Sequence, residues 1–375
     1  RMRFIWGTTA MAYDKQKAIQ AAKEEKQKME EKIQKSIESW AVQPEALAAF
    51  FQFSEKFSYQ YSFRNTLLIQ QQNRGAILCQ SFDAWKKSGY SVLKGMHGMS
   101  IYVPVQATML EIDGKSIPLS EASEKQKEDY KNGKIPYKTK LHYRIGKTFD
   151  IAQTNFPPEK YPDLLSRGIP SDKHGICVQA ICEYCETELK VPVVLEANEP
   201  ESPEDFHMGY GIQGASLYGF YDRAQKEIHI GKTLQDTAAL STLAHEMGHA
   251  VAHENRADDE NLHKIEFEAD AFSIMLQEHF GLPISERRKE HISEHYRKYQ
   301  MTAGENFKPE ESVDRIFALY KMHIKGIEQK LQKYLPEENR TFGKDMLAAR
   351  KENKQEQTEK KNSEERKKKW RKKVR

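Results

Sequence analysis

The 375-residue chain lacks a long apolar run. None of its hydrophobic stretches approaches the roughly 20 residues of a membrane-spanning helix. The opening RMRFIWGTTAMAY is too short and too poorly flanked to be a signal peptide. The chain is also poor in cysteine, and its four cysteines do not form a disulfide framework. We therefore expect a cytoplasmic protein with no membrane partner, and we exclude the disulfide-stapled secreted class.

Three of the cysteines are clustered. With His174 they spell H-x2-C-x4-C-x2-C, a pattern that could suggest a metal site. Cys177 and Cys182, however, lie about 500° of helical rotation apart and point to different sides of one helix. Four such side chains cannot converge on one tetrahedral centre. We expect free, partly buried helix cysteines.

Basic and acidic residues are distributed unevenly. Residues 41–157 carry 15 Lys and Arg against 10 Asp and Glu, whereas residues 158–300 carry 14 against 26. Residues 344–375 carry 14 against 6. Because a phosphate backbone is attracted to excess positive charge, we expect any nucleic-acid surface in the first block or in the tail.

Changes in composition predict an α+β protein with two domains. The predicted segments are a charged helical arm at 1–40, a small α+β domain at 41–157, a second domain at 158–335, and a basic, disordered tail at 336–375. The arm has no broad apolar face and is expected to be solvated. Within the first domain, residues 106–140 are charged and low in apolar content, which indicates a hairpin tip or a mobile insertion.

The second domain combines short strands with amphipathic helices. Alternation predicts the strands VPVVLE, ASLYGFYD and EIHIG, and the last two form a hairpin. Helical periodicity follows in LSTLAHEMGHAVAH, residues 240–253, and then in HKIEFEADAFSIML. The pattern predicts a small mixed sheet beside the first of these helices, where an extended substrate can add to the sheet edge.

An HExxH array lies in that helix, formed by His245, Glu246 and His249. Two histidines four residues apart lie on one helix face, so both imidazoles can bind one Zn2+ ion. Glu246 lies beside them and can act as the base that deprotonates a water molecule. The alternative is that the three are solvated residues of a surface helix.

The next helix carries Glu266 and Asp270 four residues apart, which resembles the Glu-x-x-x-Asp arrangement of gluzincin metallopeptidases. This resemblance implies that Glu266 is the third zinc ligand and that Asp270 fixes the tautomer of a ligand histidine. His253, His263 and Glu268 are the competing ligands. Glu268 points about 200° away from Glu266 on the same helix, so only one of these two can face the metal.

Binding of single-stranded DNA needs a cationic groove with aromatic faces on which bases stack. The residues of the first domain that supply such contacts are Lys56, Tyr59, Arg64, Asn65, Lys86, Lys87 and Lys94. Each could also be an ordinary surface residue. Apolar and aromatic residues at helical spacing are expected in the core instead, namely Phe57, Tyr61, Leu67 and Trp85.

Over residues 41–330 the chain resembles ArdC-type antirestriction proteins, including LtrC-like relatives of conjugative elements. The first half matches in YSFRNTLLIQQQ, FDAWKKSGYSVLKGMHGMSIYVPV and FDIAQTN, and the second in HEMGH, EFEAD and FGLPIS. The resemblance implies a domain that binds single-stranded DNA, followed by a gluzincin-like zinc-metallopeptidase domain similar to ImmA/IrrE and SprT-like folds. Its implied role is protection of DNA that enters a host by conjugation.

Three functions are compatible with these patterns. The first is a zinc peptidase with an unidentified protein substrate, coupled to a domain that binds single-stranded DNA. The second is a non-catalytic protector of single-stranded DNA with structural zinc, and the third is an ImmA-like protease of a regulatory protein. A peptidase also needs a transition-state donor, for which the hairpin offers Tyr218, Tyr221 and His229.

Overall fold

The computed structural model describes residues 6–112, 114–158, 171–196, 218–254 and 261–335. The chain divides into two compact units, residues 1–160 with 308–314 and residues 161–307 with 315–375. The predicted two-domain α+β architecture is confirmed. The predicted tail at 336–375 and the first residues of the ASLYGFYD strand lie outside the described part. None of the described helices is both long enough and apolar enough to cross a bilayer.

Four helices begin the first unit: α1 (Trp6–Trp40), α2 (Pro44–Phe57), α3 (Phe63–Gln72) and α4 (Phe82–Lys87). They meet in an aromatic core. The ring centroid of Phe50 lies 4.9 Å from that of Trp40 and 5.6 Å from that of Phe63. All three side chains are buried, as are the predicted core residues Phe57, Leu67 and Trp85.

The C-terminal half of α1 is packed in this core, so the expectation of a solvated arm is wrong for these turns. Met29, Ile33, Ile37 and Trp40 recur once per turn, and each is at most 8% exposed. One apolar residue per turn is enough to bury one side of a helix, and the sequence of such a helix can still be mostly polar.

A four-stranded antiparallel sheet completes the first unit. Its strands are β1 (Cys79–Gln80), β2 (Met99–Ile112), β3 (Lys115–Pro118) and β4 (Tyr137–Asp150), in the order β1-β4-β2-β3. β2 and β4 pair over most of their length, from Met99 opposite Thr148 to Leu110 opposite Tyr137. Residues 106–140 therefore form the outer part of a long hairpin, which also carries helix α5 (Glu124–Lys131).

The second unit contains a three-stranded mixed sheet, in agreement with the sequence. β5 (Val193–Glu196) is parallel to β7 (Glu227–Gly231), and β6 (Gly219–Asp222) pairs with β7 in the antiparallel sense. The described part of this unit contains the helices α6 (His174–Tyr184), α7 (Asp236–His253), α8 (Leu262–Phe280), α9 (Glu286–Ala303) and most of α10 (Pro309–Tyr334). The cysteines of this unit are free, as expected, and Cys177 and Cys185 are buried.

Helices α7 and α8 form the framework of the candidate site. α8 begins at Asn261, whose side chain accepts hydrogen bonds from the backbone N–H groups of His263 and Lys264, and it ends at Gly281 in the left-handed conformation. Gly248 of α7 allows close contact with α8, because a β carbon at this position would lie 2.8 Å from the carbonyl oxygen of Ala269. This contact brings the HExxH face of α7 onto the Glu-x-x-x-Asp face of α8.

Candidate metal centre

His245, His249 and Glu266 converge on one point. One donor atom from each lies within 4.8 Å of the other two. Nε2 of His245 lies 3.5 Å from one oxygen of Glu266, and Nε2 of His249 lies 3.6 Å from the other. The two Nε2 atoms are 3.2 Å apart. Two imidazole nitrogens and one carboxylate oxygen make a donor set that suits Zn2+ with one position left open.

Glu266 carries its negative charge at this buried position. Burial raises the pKa of the carboxyl, but the charge of His249 and hydrogen bonds from both histidines outweigh burial and hold that pKa well below its usual range. Glu266 is therefore ionised, as a metal ligand must be. Glu246, the proposed base, lies on α7 beside His245 and is buried, with 7% of its surface exposed.

Asp270 lies directly behind His245. Its Oδ1 atom is 3.0 Å from Nδ1 of His245, and its side chain is fully buried. A proton held on Nδ1 leaves Nε2 with a lone pair directed at the site. Burial and the charge of Arg288 lower the pKa of His245, but the hydrogen bonds to Asp270 and Glu266 dominate and raise it to about 9, so metal binding must displace the proton of Nε2.

Two further residues contact Asp270 and were not predicted from the sequence. Arg288 of α9 donates to Oδ1, and Nδ1 of His291 lies 2.6 Å from Oδ2. Burial raises the pKa of Asp270, but the positive charges of Arg288 and His291 outweigh it and hold that pKa well below its usual range. The helical spacing of Arg288 and His291, three residues apart, was the only available signal, and it does not indicate the partner.

The competing ligands point elsewhere. Glu268 is fully buried and contacts Nε2 of His253 at 3.0 Å and Nη1 of Arg315 at 2.9 Å. Nδ1 of His263 lies 3.3 Å from Nδ1 of His295 on α9. Among the described residues, these three side chains do not join the group of donors formed by His245, His249 and Glu266.

The candidate transition-state donors lie on β6 and β7 or next to them. Tyr218 is half exposed. The Tyr221 hydroxyl is buried without a hydrogen-bond partner in the described part of the chain, and burial raises the pKa of this phenol. His229 stacks on Phe220, with ring centroids 4.4 Å apart. These contacts do not distinguish one of the three side chains as the transition-state donor.

Comparisons with known families match both halves of the chain. Residues 15–144 match the family model of the N-terminal domain of the anti-restriction factor ArdC, and residues 211–304 match the IrrE N-terminal-like domain, a peptidase family. The chain combines an ArdC-type domain with an IrrE-like domain. The recognition made from the sequence motifs is confirmed.

Individual proteins that resemble the chain share less than a third of its residues. An uncharacterized protein of Bacillus anthracis, pXO2-81, is 29% identical over 300 residues, which are 76% of this chain and 49% of that protein. The chain therefore spans about half the length of this curated relative. The antirestriction protein ArdC from plasmid R388 has a metal-free crystal structure that is 15% identical, with a TM-score of 0.41, and covers 74% of this chain and 87% of its own. Its Mn(II)-bound structure is 14% identical, with the same TM-score, over 72% and 85%.

Within the ArdC-type domain, Asn65 is a structural residue. Its Nδ2 donates to the carbonyl oxygen of Tyr102 and its Oδ1 accepts from the N–H group of Tyr102, both at 2.8 Å. The buried amide therefore ties α3 to β2. Because this amide bonds the backbone of Tyr102 inside the domain, we expect Asn65 to stabilise the fold rather than bind DNA.

Arg64 is also engaged within the ArdC-type unit. Its guanidinium is paired with Glu30 and with Glu310, and it lies over the Tyr102 ring at 5.7 Å from the centroid. With both carboxylates in contact, its charge is compensated internally. We therefore expect Arg64 to contribute less to DNA binding than an unpaired surface cation would.

The other DNA-contact candidates remain accessible to different degrees. Lys86 and Lys87 are exposed at the end of α4, and Lys94 is exposed in the turn before β2. Lys56 and Tyr59 are half-buried at the end of α2. The structure thus leaves the three exposed lysines as the strongest members of that set.

Proposed function

We propose that this protein is an antirestriction protein of a mobile genetic element, which binds single-stranded DNA with its ArdC-type domain and hydrolyses a protein substrate with its IrrE-like domain. The two family matches support the pairing of these domains. The convergence of His245, His249 and Glu266 within 4.8 Å is the observation that carries the peptidase half. Protection of DNA entering by conjugation is the role that joins the two activities.

The residues of the site fit a zinc-dependent hydrolase. A bound zinc ion would supply Lewis-acid activation of water and of the scissile carbonyl. Asp270 holds the Nδ1 proton of His245 and so orients Nε2 toward the site. Glu246 takes a proton from the attacking water and delivers it to the leaving amine. Each of these steps is assigned to a side chain of α7 or α8.

The distribution of charge supports different binding partners for the two domains. Residues 158–300 carry 14 Lys and Arg against 26 Asp and Glu, so a polyanion is repelled from the segment that contains the metal ligands. Residues 41–157 carry 15 against 10. We therefore assign DNA to the ArdC-type domain or the basic tail, and a protein substrate to the IrrE-like domain.

A protection assay tests whether hydrolysis matters. Glu246→Gln removes the base and keeps all three ligands, and Glu290→Gln changes an exposed carboxyl outside the site as a matched control. We expect Glu246→Gln to keep its zinc and lose protection of conjugated DNA in a restricting host, whereas Glu290→Gln protects normally.

Two other results would favour the alternative functions. If Glu246→Gln protects as well as the wild type, the protein is a stoichiometric protector whose zinc is structural. If the wild type shows no salt-dependent gel shift with single-stranded DNA, an ImmA-like protease of a regulatory protein is favoured, because phosphate contacts weaken as salt rises.

A further inference from the structure

The outer half of β4 has a free edge. β1 pairs with β4 only at residues 149 and 150, while β2 covers the opposite side of β4 from residue 137 to residue 148. Within the described part of the chain, no strand pairs with the other side of residues 137–147. We call residues 137–147 the outer strand. Its backbone and both of its faces are accessible along that edge.

One face of the outer strand exposes large apolar and aromatic side chains. Tyr137, Leu141 and Tyr143 alternate along it and are 56%, 53% and 56% exposed. Tyr137 also packs against Tyr130 of α5, with ring centroids 5.2 Å apart. Tyr143 lies opposite Pro104 and Leu141 opposite Gln106, both of which are exposed. The face of the sheet around Tyr143 is therefore exposed to solvent.

The other face of the outer strand is cationic. Lys138, Lys140, His142 and Arg144 alternate with the apolar set, and the outer strand contains no acidic residue. Lys138 lies 3.7 Å from Glu111, and the nearby Lys147 is paired with Glu25. Lys140 and Arg144 have no carboxylate within ion-pair distance among the described residues. They offer two uncompensated positive charges on long, flexible side chains beside a single strand.

Protection against aggregation does not explain this pattern. Edge strands often carry lysine, because charge discourages pairing with another chain. An edge built only for that purpose would not also expose a leucine and two tyrosines on its other face. Aromatic faces combined with adjacent uncompensated cations are what single-stranded nucleic acid requires, since bases stack on the rings while cations neutralise phosphates.

We propose that the outer strand is a contact site for single-stranded nucleic acid, with Tyr143 as a stacking platform and with Lys140 and Arg144 as phosphate contacts. The inference rests on the proposed DNA-binding function of the ArdC-type domain and gives it a location. Charge complementarity selects a polyanion over an added peptide strand, because the free edge is cationic and has no acidic residue to balance it.

The test uses the full chain and a fluorescein-labelled oligo(dT) of about 16 nucleotides, the upper end of common site sizes. Tyr143→Ala should weaken binding about fivefold or more, from the cost of losing one stacked base, and Tyr143→Phe should restore it. Lys140→Gln with Arg144→Gln should reduce the slope of log K against log salt by about 1.4, the value for two phosphate contacts on a single strand.

A matched control is available in the second unit. Lys321→Gln with Lys325→Gln removes the same charge from the exposed side of α10 and should leave affinity and slope unchanged. The inference is overturned if the wild type binds oligo(dT) and the outer-strand variants bind equally well. It is also overturned if unlabelled duplex DNA competes as well as oligo(dT), since paired bases cannot stack on Tyr143.

Different results are expected if the proposed DNA-binding function itself is wrong. If the wild type itself does not bind oligo(dT), the proposed DNA-binding function fails together with the outer-strand site. If binding is present and is lost in Lys86→Gln with Lys87→Gln but not in the outer-strand variants, the function stands and this location is wrong.

Discussion

Gly248 and Ala269 are in backbone contact, with the site for a β carbon on Gly248 only 2.8 Å from the carbonyl oxygen of Ala269. Gly248 directly precedes the ligand His249, and Ala269 directly precedes Asp270. The distance between the two helices at this contact therefore sets the distance between the ligands they carry. Any side chain at position 248 must push the helices apart.

Gly248→Ala should weaken metal binding as well as stability. The added methyl meets backbone atoms that cannot rotate away, and overpacking of this kind costs about 1–3 kcal/mol. Gly75→Ala is the matched control, because its β carbon would meet its nearest neighbour at an ordinary 3.6 Å. Zinc affinity from competition with a chelator should fall for Gly248→Ala alone. Unchanged affinity would show that the helix contact does not control the site.

Asp270→Asn should lower zinc affinity by roughly 10- to 100-fold, the usual effect of removing the partner of a metal-binding histidine. The neutral amide leaves the Arg288 charge without its carboxylate and no longer fixes the Nδ1 proton of His245. Glu268→Gln is the control on the same helix, because Glu268 is equally buried but contacts His253 and Arg315. It should destabilise the domain and retain zinc, so equal losses in both variants would reject the assignment of Asp270.

His323 should make the second unit less stable in mild acid. Burial lowers the pKa of His323 below its ordinary 6.5, and Nδ1 accepts the Tyr184 hydroxyl at 2.9 Å. The unfolded chain takes up this proton near pH 6.5 and the folded chain only at lower pH. The histidine therefore contributes to a loss of stability as pH falls below about 6.5, by up to about 1.4 kcal/mol per pH unit.

His323→Asn keeps a hydrogen-bond acceptor for Tyr184 and removes the titration. Chemical denaturation between pH 7 and pH 5 should then show a smaller decrease in stability for this variant than for the wild type. His97→Asn, at an exposed position, should follow the wild type. Parallel curves for all three proteins would mean that His323 titrates alike in the folded and unfolded chains.

Asn65→Ala should destabilise the ArdC-type domain without changing its interaction with DNA. The substitution leaves the N–H and C=O groups of Tyr102 without their side-chain partner, at a cost of about 1–3 kcal/mol for an unsatisfied buried group. Thermal unfolding measures the loss of stability. Oligo(dT) affinity, measured below the melting transition, should equal that of the wild type. A loss of affinity in the folded variant would return Asn65 to the DNA contacts.

That His245 and His249 share a face was predictable from the sequence, because they lie four residues apart on one helix, whereas Glu266 and Asp270 were identified by their resemblance to gluzincin metallopeptidases. For residues on one helix, local geometry alone decides which side chains share a face. Arg288 and His291 approach Asp270 only through packing of α9 against α8, and no sequence spacing encodes that contact. A side chain whose role depends on packing between distant elements cannot be assigned from local pattern.

Asn65 is another residue whose role depends on packing between distant elements. A polar side chain beside Arg64 is typical of a surface, yet its partner is the backbone of Tyr102, 37 residues later. The outer strand did carry a local signal, since Tyr, Leu and Lys alternate from Tyr137 to Arg144 with the period of a strand. That alternation was obscured by the charged residues that precede it.

Zinc content of the purified variants tests the central claim most directly. The wild type should contain one zinc per chain, His249→Ala and Glu266→Gln should contain none, and His263→Ala, which replaces a competing histidine outside the donor group, should retain the full amount. A His263→Ala protein without zinc, or a Glu266→Gln protein that keeps it, would contradict the assignment of His245, His249 and Glu266 as the metal ligands.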